Sequence, residues 1–332
     1  GCERKAMKSI LNSAKKEATP PKKLQQKKQR VVKIACDLVG ECIEKYPQVV
    51  GFELGGSYAK GTWVPEKPVD NVDIDIFVKF NKKTSEKDFR NIGTEIGFES
   101  LKKYKPYTRH AEHPFVEAII DGTRVNVVPC YDVNKGEWKS ATDRSIYHTK
   151  FMLQKLSNSM KGDVRILKKF LQHIEVYGAE IAKEGFSGYV AEALIFYFGS
   201  FEKTIKKISE LKKGQVIGKS TKKFDSFVVI IDPIDNNRNL GTAISIENLG
   251  KFVLASRAFL RNPSKNFFKK PISKRIMRNT DKIIVVQFKV KERSDDIVWG
   301  QIKRASNALK TQLELGGFTV LRNSSVKDEK EN

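Results

Sequence analysis

A chain of 332 residues with 39% hydrophobic and 10% aromatic content can bury more than one core, which predicts two or three domains. No stretch approaches the roughly 20 apolar residues of a membrane span, and no apolar signal segment follows the Lys-rich start, so the sequence predicts a cytosolic (cytoplasmic) protein with no membrane partner. The 62 Lys+Arg against 39 Asp+Glu leave a net charge of +23, a field that attracts a polyanion by counterion release and points to nucleic acid.

Charge alone does not specify the partner. The runs Lys22 to Arg30 and Lys203 to Lys213 read equally well as solubilising surface. Cys2, Cys36, Cys42 and Cys130 show no CxxC pairing and read as reduced thiols rather than a disulfide framework or a zinc site. The chain starts Gly1-Cys2 without an initiator Met and closes on the polar run Asn323 to Asn332, so one or both ends are expected to be cut.

In chain order, a basic lead-in precedes an amphipathic helix over Leu24 to Tyr46, whose apolar positions Val31, Val32, Ala35, Leu38, Val39, Cys42 and Ile43 fall near helical spacing. Pro47 ends it, and Val49 to Leu54 reads as a short strand entering Gly55-Gly56-Ser57. From Val72 to Phe80 the pattern alternates. Val72, Ile74, Ile76 and Val78 share one face, and Asp73, Asp75 and Phe77 share the other. Phe115 to Ile120 and Thr123 to Val128 flank Asp121-Gly122, a type I′ hairpin signal. In the second arm Arg124, Asn126 and Val128 point one way, Val125 and Val127 the other.

With helices before and between these strands, the first part is an α+β domain with a mixed sheet. Residues from Tyr147 to Leu260 read as mainly helical, with helices at Asp163 to Gln172 and Ser187 to Phe198 and a strand at Phe227 to Ile231. The last segment predicts a strand at Lys282 to Lys289, a helix from the N-cap Ser294 to Leu315 stopped by Gly316 or Gly317, and a strand at Phe318 to Arg322.

Nucleotide transfer needs a grip on triphosphate, a divalent metal and an aligned hydroxyl. Gly55 and Gly56 let backbone N–H groups approach phosphate, and Ser57 adds a hydroxyl. Asp73 and Asp75 stand two residues apart, ~6.6 Å along one strand face, a pair suited to Mg²⁺. The bland reading of that pair is an exposed strand with solvated charges. His110 and His113 form an HxxH pair that lacks further ligands and reads as surface histidines.

GGS followed by D-I-D on a strand resembles the signature of the DNA polymerase β-like nucleotidyltransferase superfamily. Longer blocks, Gly55 to Trp63, Val127 to Tyr131, Lys139 to Arg144, Val176 to Glu180, Gly185 to Tyr189, Asp232-Pro233 and Arg238-Asn239, are similar to archaeal-type (class I) CCA-adding enzymes. The blocks lie in the family's order from about residue 25 to 322. The resemblance implies a nucleotidyltransferase head over 1–145, including the N-terminal helix, a mainly helical neck over 146–262 and a small α/β body over 263–332, with the tail domain missing or incomplete.

It also implies CCA addition to the 3′ end of tRNA from CTP and ATP with Mg²⁺, and it is compatible with a homodimer. Carried over by position, Asp73 and Asp75 are metal ligands, while Ser57 and Lys60 contact the triphosphate. Lys60 stands where some relatives have Arg. His148, Lys168 and Tyr177 reach the nucleotide, and Arg238 helps read its base.

Two departures stand out. Asn126 occupies the place of a third carboxylate that helps bind metal and can accept the proton of the attacking 3′-OH. An amide offers one neutral oxygen and no base. Glu117, on the partner strand, and Asp121, in the turn, are not obvious substitutes; Glu112 and Asp132 are further candidates. The stretch from Pro65 to Val72 is longer than usual in the family and reads as a loop, with Asp70 a ligand only if it folds back. Two alternatives stay open: a poly(A) polymerase-like terminal transferase, and a catalytically impaired tRNA-binding relative.

Overall fold

The computed structural model describes residues 2–65, 72–271, 284–289, 293–320 and 323–327. Two helices come first, α1 (Cys2–Ala18) and α2 (Lys22–Ile43), separated at Pro20-Pro21, where the second proline caps α2 in extended conformation. Then follow β1 (Val49–Gly55), the short α3 (Gly56–Lys60), β2 (Ile74–Asn81), α4 (Glu86–Ser100), β3 (Tyr107–Arg109), β4 (Phe115–Ile120) and β5 (Thr123–Asp132).

The five strands make a mixed sheet in the order β1-β2-β5-β4-β3. β2 and β5 run parallel and their neighbours antiparallel. The alternation read from the sequence sets the faces. Ile74, Ile76, Val78, Val125 and Val127 join Val31, Ala35 and Val39 of α2 and Phe89 and Ile96 of α4 in one core. Phe77 and Val128 lie in a separate small cluster with Cys130 and Ile146. The β4–β5 turn has φ of 48° at Asp121 and 72° at Gly122, the two left-handed residues of a type I′ turn.

The second core is built mainly of helices: α5 (Arg144–Lys155), α6 (Asn158–His173), α7 (Gly188–Phe198), α8 (Phe201–Ser209) and α9 (Ile246–Arg261), with a three-stranded sheet of β6 (Gln215–Ile217), β7 (Val228–Asp232) and β8 (Asp235–Asn239). Serines 157, 187, 200 and 245 cap α6 to α9, each accepting a backbone N–H three residues on, which offsets the unpaired donors of the first turn. Phe170 sits among Phe201, Phe252, Phe259, Phe267 and Phe268, with ring centroids 5.6 to 6.3 Å away.

Helix α1 occupies the segment expected to be a basic lead-in to the head. Its Leu11, Ala14 and Ala18 are buried in the second core, and Lys15 reaches Asp163 of α6 at 3.0 Å. An apolar stripe on a Lys-rich helix is hidden by charge until its partner is seen. Lys28 is a second correction to the basic run. It is fully buried, and its Nζ donates to the Val72 carbonyl at 2.9 Å and to Thr123 Oγ1 at 3.3 Å, pinning the entries of β2 and β5.

The final helix, α10 (Asp295–Leu315), begins after Ser294, and Gly317 with φ of 86° follows it. The expected flanking strands differ. Residues 284–289 and 318–320 have no strand partner among the described residues, and Val285 and Phe318 are exposed; strand propensity without a ladder does not make a strand. Asp70, residues 282–283 and residues 321–322 lie outside the described residues. His113 is partly buried with its ring edge against Phe89 at 5.6 Å, while His110 is exposed as expected.

Candidate active site

One residue from each strand of the head sheet forms a row on the face away from α2 and α4. Register places Gly55 beside Asp75, Asp75 beside Asn126, Asn126 beside Glu117 and Glu117 beside Tyr107. Asp73 stands just before β2. Asn126 Nδ2 donates to Asp75 Oδ1 at 2.9 Å and to Asp73 Oδ2 at 3.3 Å, and Arg124 Nε donates to Asp73 Oδ1 at 2.7 Å. Burial pushes Asp75 up to about 6, with the Asn126 hydrogen bond opposing and Asp73 adding to the rise.

Gly56 has φ of 73°, and a Cβ there would stand 2.2 Å from Asp75 Oδ2. The GG pair therefore seats the carboxylate against bare backbone at the start of α3, which no other residue type allows. Ser57 follows, half-buried, on the same short helix.

These groups fit a divalent cation. Two carboxylates converge on one amide, and Asn126 Oδ1 is buried without a hydrogen-bond partner. Mg²⁺ typically takes one or two carboxylates and completes its shell with water and substrate phosphate. With Asn at 126, the row offers Asp73 and Asp75, and no group of three His, Cys, Asp or Glu side chains gathers as a metal site among the described residues. Glu117 is closer than its place on another strand suggested. It is buried beside Asn126 and accepts a hydrogen bond from the Tyr107 hydroxyl. Glu112 is exposed, and Asp132 pairs with Asn81 at the far end of β2.

The cationic candidates gather around two buried acids that were not among the expected site residues, although Asp232 stands in one of the motif blocks. Lys60 Nζ lies 2.7 Å from Glu192 Oε2 of α7, 5.5 Å over the Tyr189 ring, and is almost fully buried. The Thr62 hydroxyl donates to the other Glu192 oxygen. Lys168 Nζ donates to the Thr62 carbonyl at 3.0 Å, and burial lowers its pKa to about 8 despite Glu192. Burial pushes Glu192 up, but Lys60 and Lys168 outweigh it and hold it below the ordinary value. Two lysines around one carboxylate leave net positive charge. A Cβ on Gly188 would stand 3.0 Å from the Tyr177 hydroxyl and 3.4 Å from Lys168 Nζ, so both groups converge there.

The second acid, Asp232, ends β7. His148 Nε2 lies 2.9 Å from its Oδ2, and Arg238 Nη1 donates to the same oxygen at 3.1 Å. The Tyr189 hydroxyl donates to Oδ1 at 2.8 Å, and the His148 ring stacks on Tyr189 with centroids 3.7 Å apart. Burial lowers the His148 pKa against the pull of Asp232, so the neutral ring donates Nε2–H to the carboxylate. Every site residue expected from sequence thus falls in the acidic row, on the GGS turn or in this cation cluster. Glu192 had one legible signal, a lone carboxylate among Val190, Ala191, Ala193, Leu194 and Ile195.

A carboxylate pair on a mixed sheet beside a glycine turn and a cationic helical wall defines a nucleotidyltransferase. Residues 35–148 match the family described as nucleotidyltransferase domain, 162–269 the tRNA nucleotidyltransferase second domain, and 279–332 the CCA-adding enzyme C-terminal domain. The chain is 35% identical to a CCA-adding enzyme of Pyrobaculum islandicum over 98% of its own length and 77% of the relative's. It is 33% identical to the Methanocaldococcus jannaschii CCA-adding enzyme over 97% and 75%. The chain belongs to the CCA-adding enzyme family.

Among solved structures, the Cid1 poly(U) polymerase with Mg and 3′-dATP bound aligns with a TM-score of 0.59 at 13% identity, covering 79% of this chain and 98% of that one. That likeness is one of fold.

Proposed function

We propose that this chain adds CCA to the 3′ end of tRNA from CTP and ATP without a nucleic-acid template. The observation that carries the reading is the acidic row Asp73, Asp75 and Asn126 opening beside the lysines held by Glu192. The tRNA 3′-oxygen attacks the α-phosphorus, a new P–O bond forms, the bond to the β-phosphate oxygen breaks, and pyrophosphate leaves. Asp73 and Asp75 would hold Mg²⁺, which supplies charge neutralisation at the phosphates. Asn126 keeps the two carboxylates together but accepts no proton, so the hydroxyl proton passes to water.

Lys60 and Lys168, gathered around Glu192, set net positive charge beside the triphosphate, and Ser57 and the Gly55-Gly56 backbone border the same space. Tyr177 and His148 flank the nucleotide, and Arg238 meets its base. The +23 chain charge holds the acceptor stem largely through phosphate and 2′-hydroxyl contacts. No helix among the described residues is long and apolar enough to cross a membrane. In the domain terms of the resemblance, the sheet is the head and α5 to α9 the neck, with α1 packed on the neck.

The test uses tRNAs ending before CCA, after C and after CC, with labelled CTP or ATP and Mg²⁺, beside an Asp73→Ala/Asp75→Ala variant. Extension that stops at CCA and is lost in the double variant is expected. Runs of A beyond CCA would indicate a poly(A)-type transferase, and tRNA binding without incorporation would indicate a non-catalytic relative.

A further inference from the structure

We infer that Asp232 is a specificity-determining positioning residue: by fixing the guanidinium fork of Arg238 it sets the choice between cytosine and adenine. The inference rests on the proposed CCA addition, since that reading gives Arg238 its base.

Asp232 is fully buried and its two oxygens are filled by four donors. Oδ2 takes His148 Nε2–H and Arg238 Nη1, and Oδ1 takes the Tyr189 hydroxyl and the Ile234 backbone N–H at 3.0 Å. A carboxylate offers about four lone-pair sites. None is left for substrate, so Asp232 acts through its partners.

The donors come from α5, α7 and the β7–β8 hairpin, and a register irregularity at Ile231/Asp232 falls where the carboxylate turns toward them. The hairpin's other corner is held as well. Asp235 Oδ2 accepts Trp138 Nε1 at 3.0 Å and Arg144 Nε at 2.9 Å. Arg144 and His148 lie one turn apart on α5, so the hairpin is clamped to that helix at two points.

Arg238 contributes Nη1 to Asp232 while its side chain remains 43% exposed, leaving the rest of the fork facing outward. Cytosine and adenine present acceptors at different spacings to such a fork, and displacing it blurs the distinction.

The experiment compares Asp232→Asn with the unmodified full chain. It measures kcat and KM for CTP and ATP on tRNA ending after C and after CC. The ratio of kcat/KM for correct over incorrect nucleotide is expected to fall at least about tenfold, while kcat for the correct one falls less than about threefold. Equal losses for both nucleotides with the ratio intact would overturn the inference. If Asp232→Asn does not fold, Tyr189→Phe decides: it keeps the ring, removes one donor, and should lower the ratio at least about threefold, an unchanged ratio being the refuting result. An unmodified chain that adds nothing, or runs past CCA, refutes the proposed function instead.

Discussion

At residue scale, the amide at 126 distinguishes this acidic row. Its Nδ2 bridges Asp73 and Asp75, doing part of the work of a cation, and in the proposed reaction an amide there offers no proton acceptor. Asn126→Asp should therefore raise kcat by about a hundredfold. It should also place three carboxylates on one face, so its melting temperature without metal should fall and its rise on adding Mg²⁺ should exceed that of the unmodified chain. Thermal melts with and without Mg²⁺ and single-turnover rates check both halves, and an unchanged rate would sink the assignment.

Burial lowers Lys168 to about 8, so the free enzyme loses that charge as pH rises through 8, and kcat/KM for both nucleotides should fall above it. The sign for stability is opposite. A lysine whose folded pKa lies below its unfolded value binds fewer protons folded than unfolded in that window, so its contribution to stability rises with pH between about 8 and 10.5. A pH profile of kcat/KM for Lys168→Gln should be flat where the unmodified chain declines.

At the scale of elements, α1 carries the test. Its charge disguises an apolar stripe of Leu11, Ala14 and Ala18 inserted into the second core. Ala14→Asp puts an unpaired carboxylate there and should cost about 3 kcal/mol, seen as a lower midpoint in urea. A variant with an unchanged midpoint would mean the helix does not pack there in solution. The strands illustrate the converse. β2 and β5 alternate cleanly and are readable, whereas β8, Asp-Asn-Asn-Arg-Asn, has no strand propensity and exists because β7 pairs with it and its one acid, Asp235, is anchored on Arg144 of α5.

Across the whole molecule, the charge of +23 predicts salt-sensitive tRNA binding. If about five phosphates are contacted, log K should fall against log salt with a slope near −4. Filter binding between about 50 and 200 mM KCl measures it, and a slope near zero would contradict electrostatic capture of the stem.

The sequence by itself determined the α+β class with its mixed sheet, the faces of β2 and β5, the type I′ turn and the placing of Asp73 and Asp75 together on one face, because period-two patterning and glycine conformational demands are local. Those signals, with the ordered motif blocks, also reached the family. Only tertiary structure decided that Lys28 is buried, that α1 belongs to the second core, and that Glu192 and Asp232 organise the cationic wall. A carboxylate becomes an anchor through donors it meets from distant elements: Glu192 lies 132 residues from Lys60, and Asp232 lies 84 from His148. No local pattern encodes such a meeting.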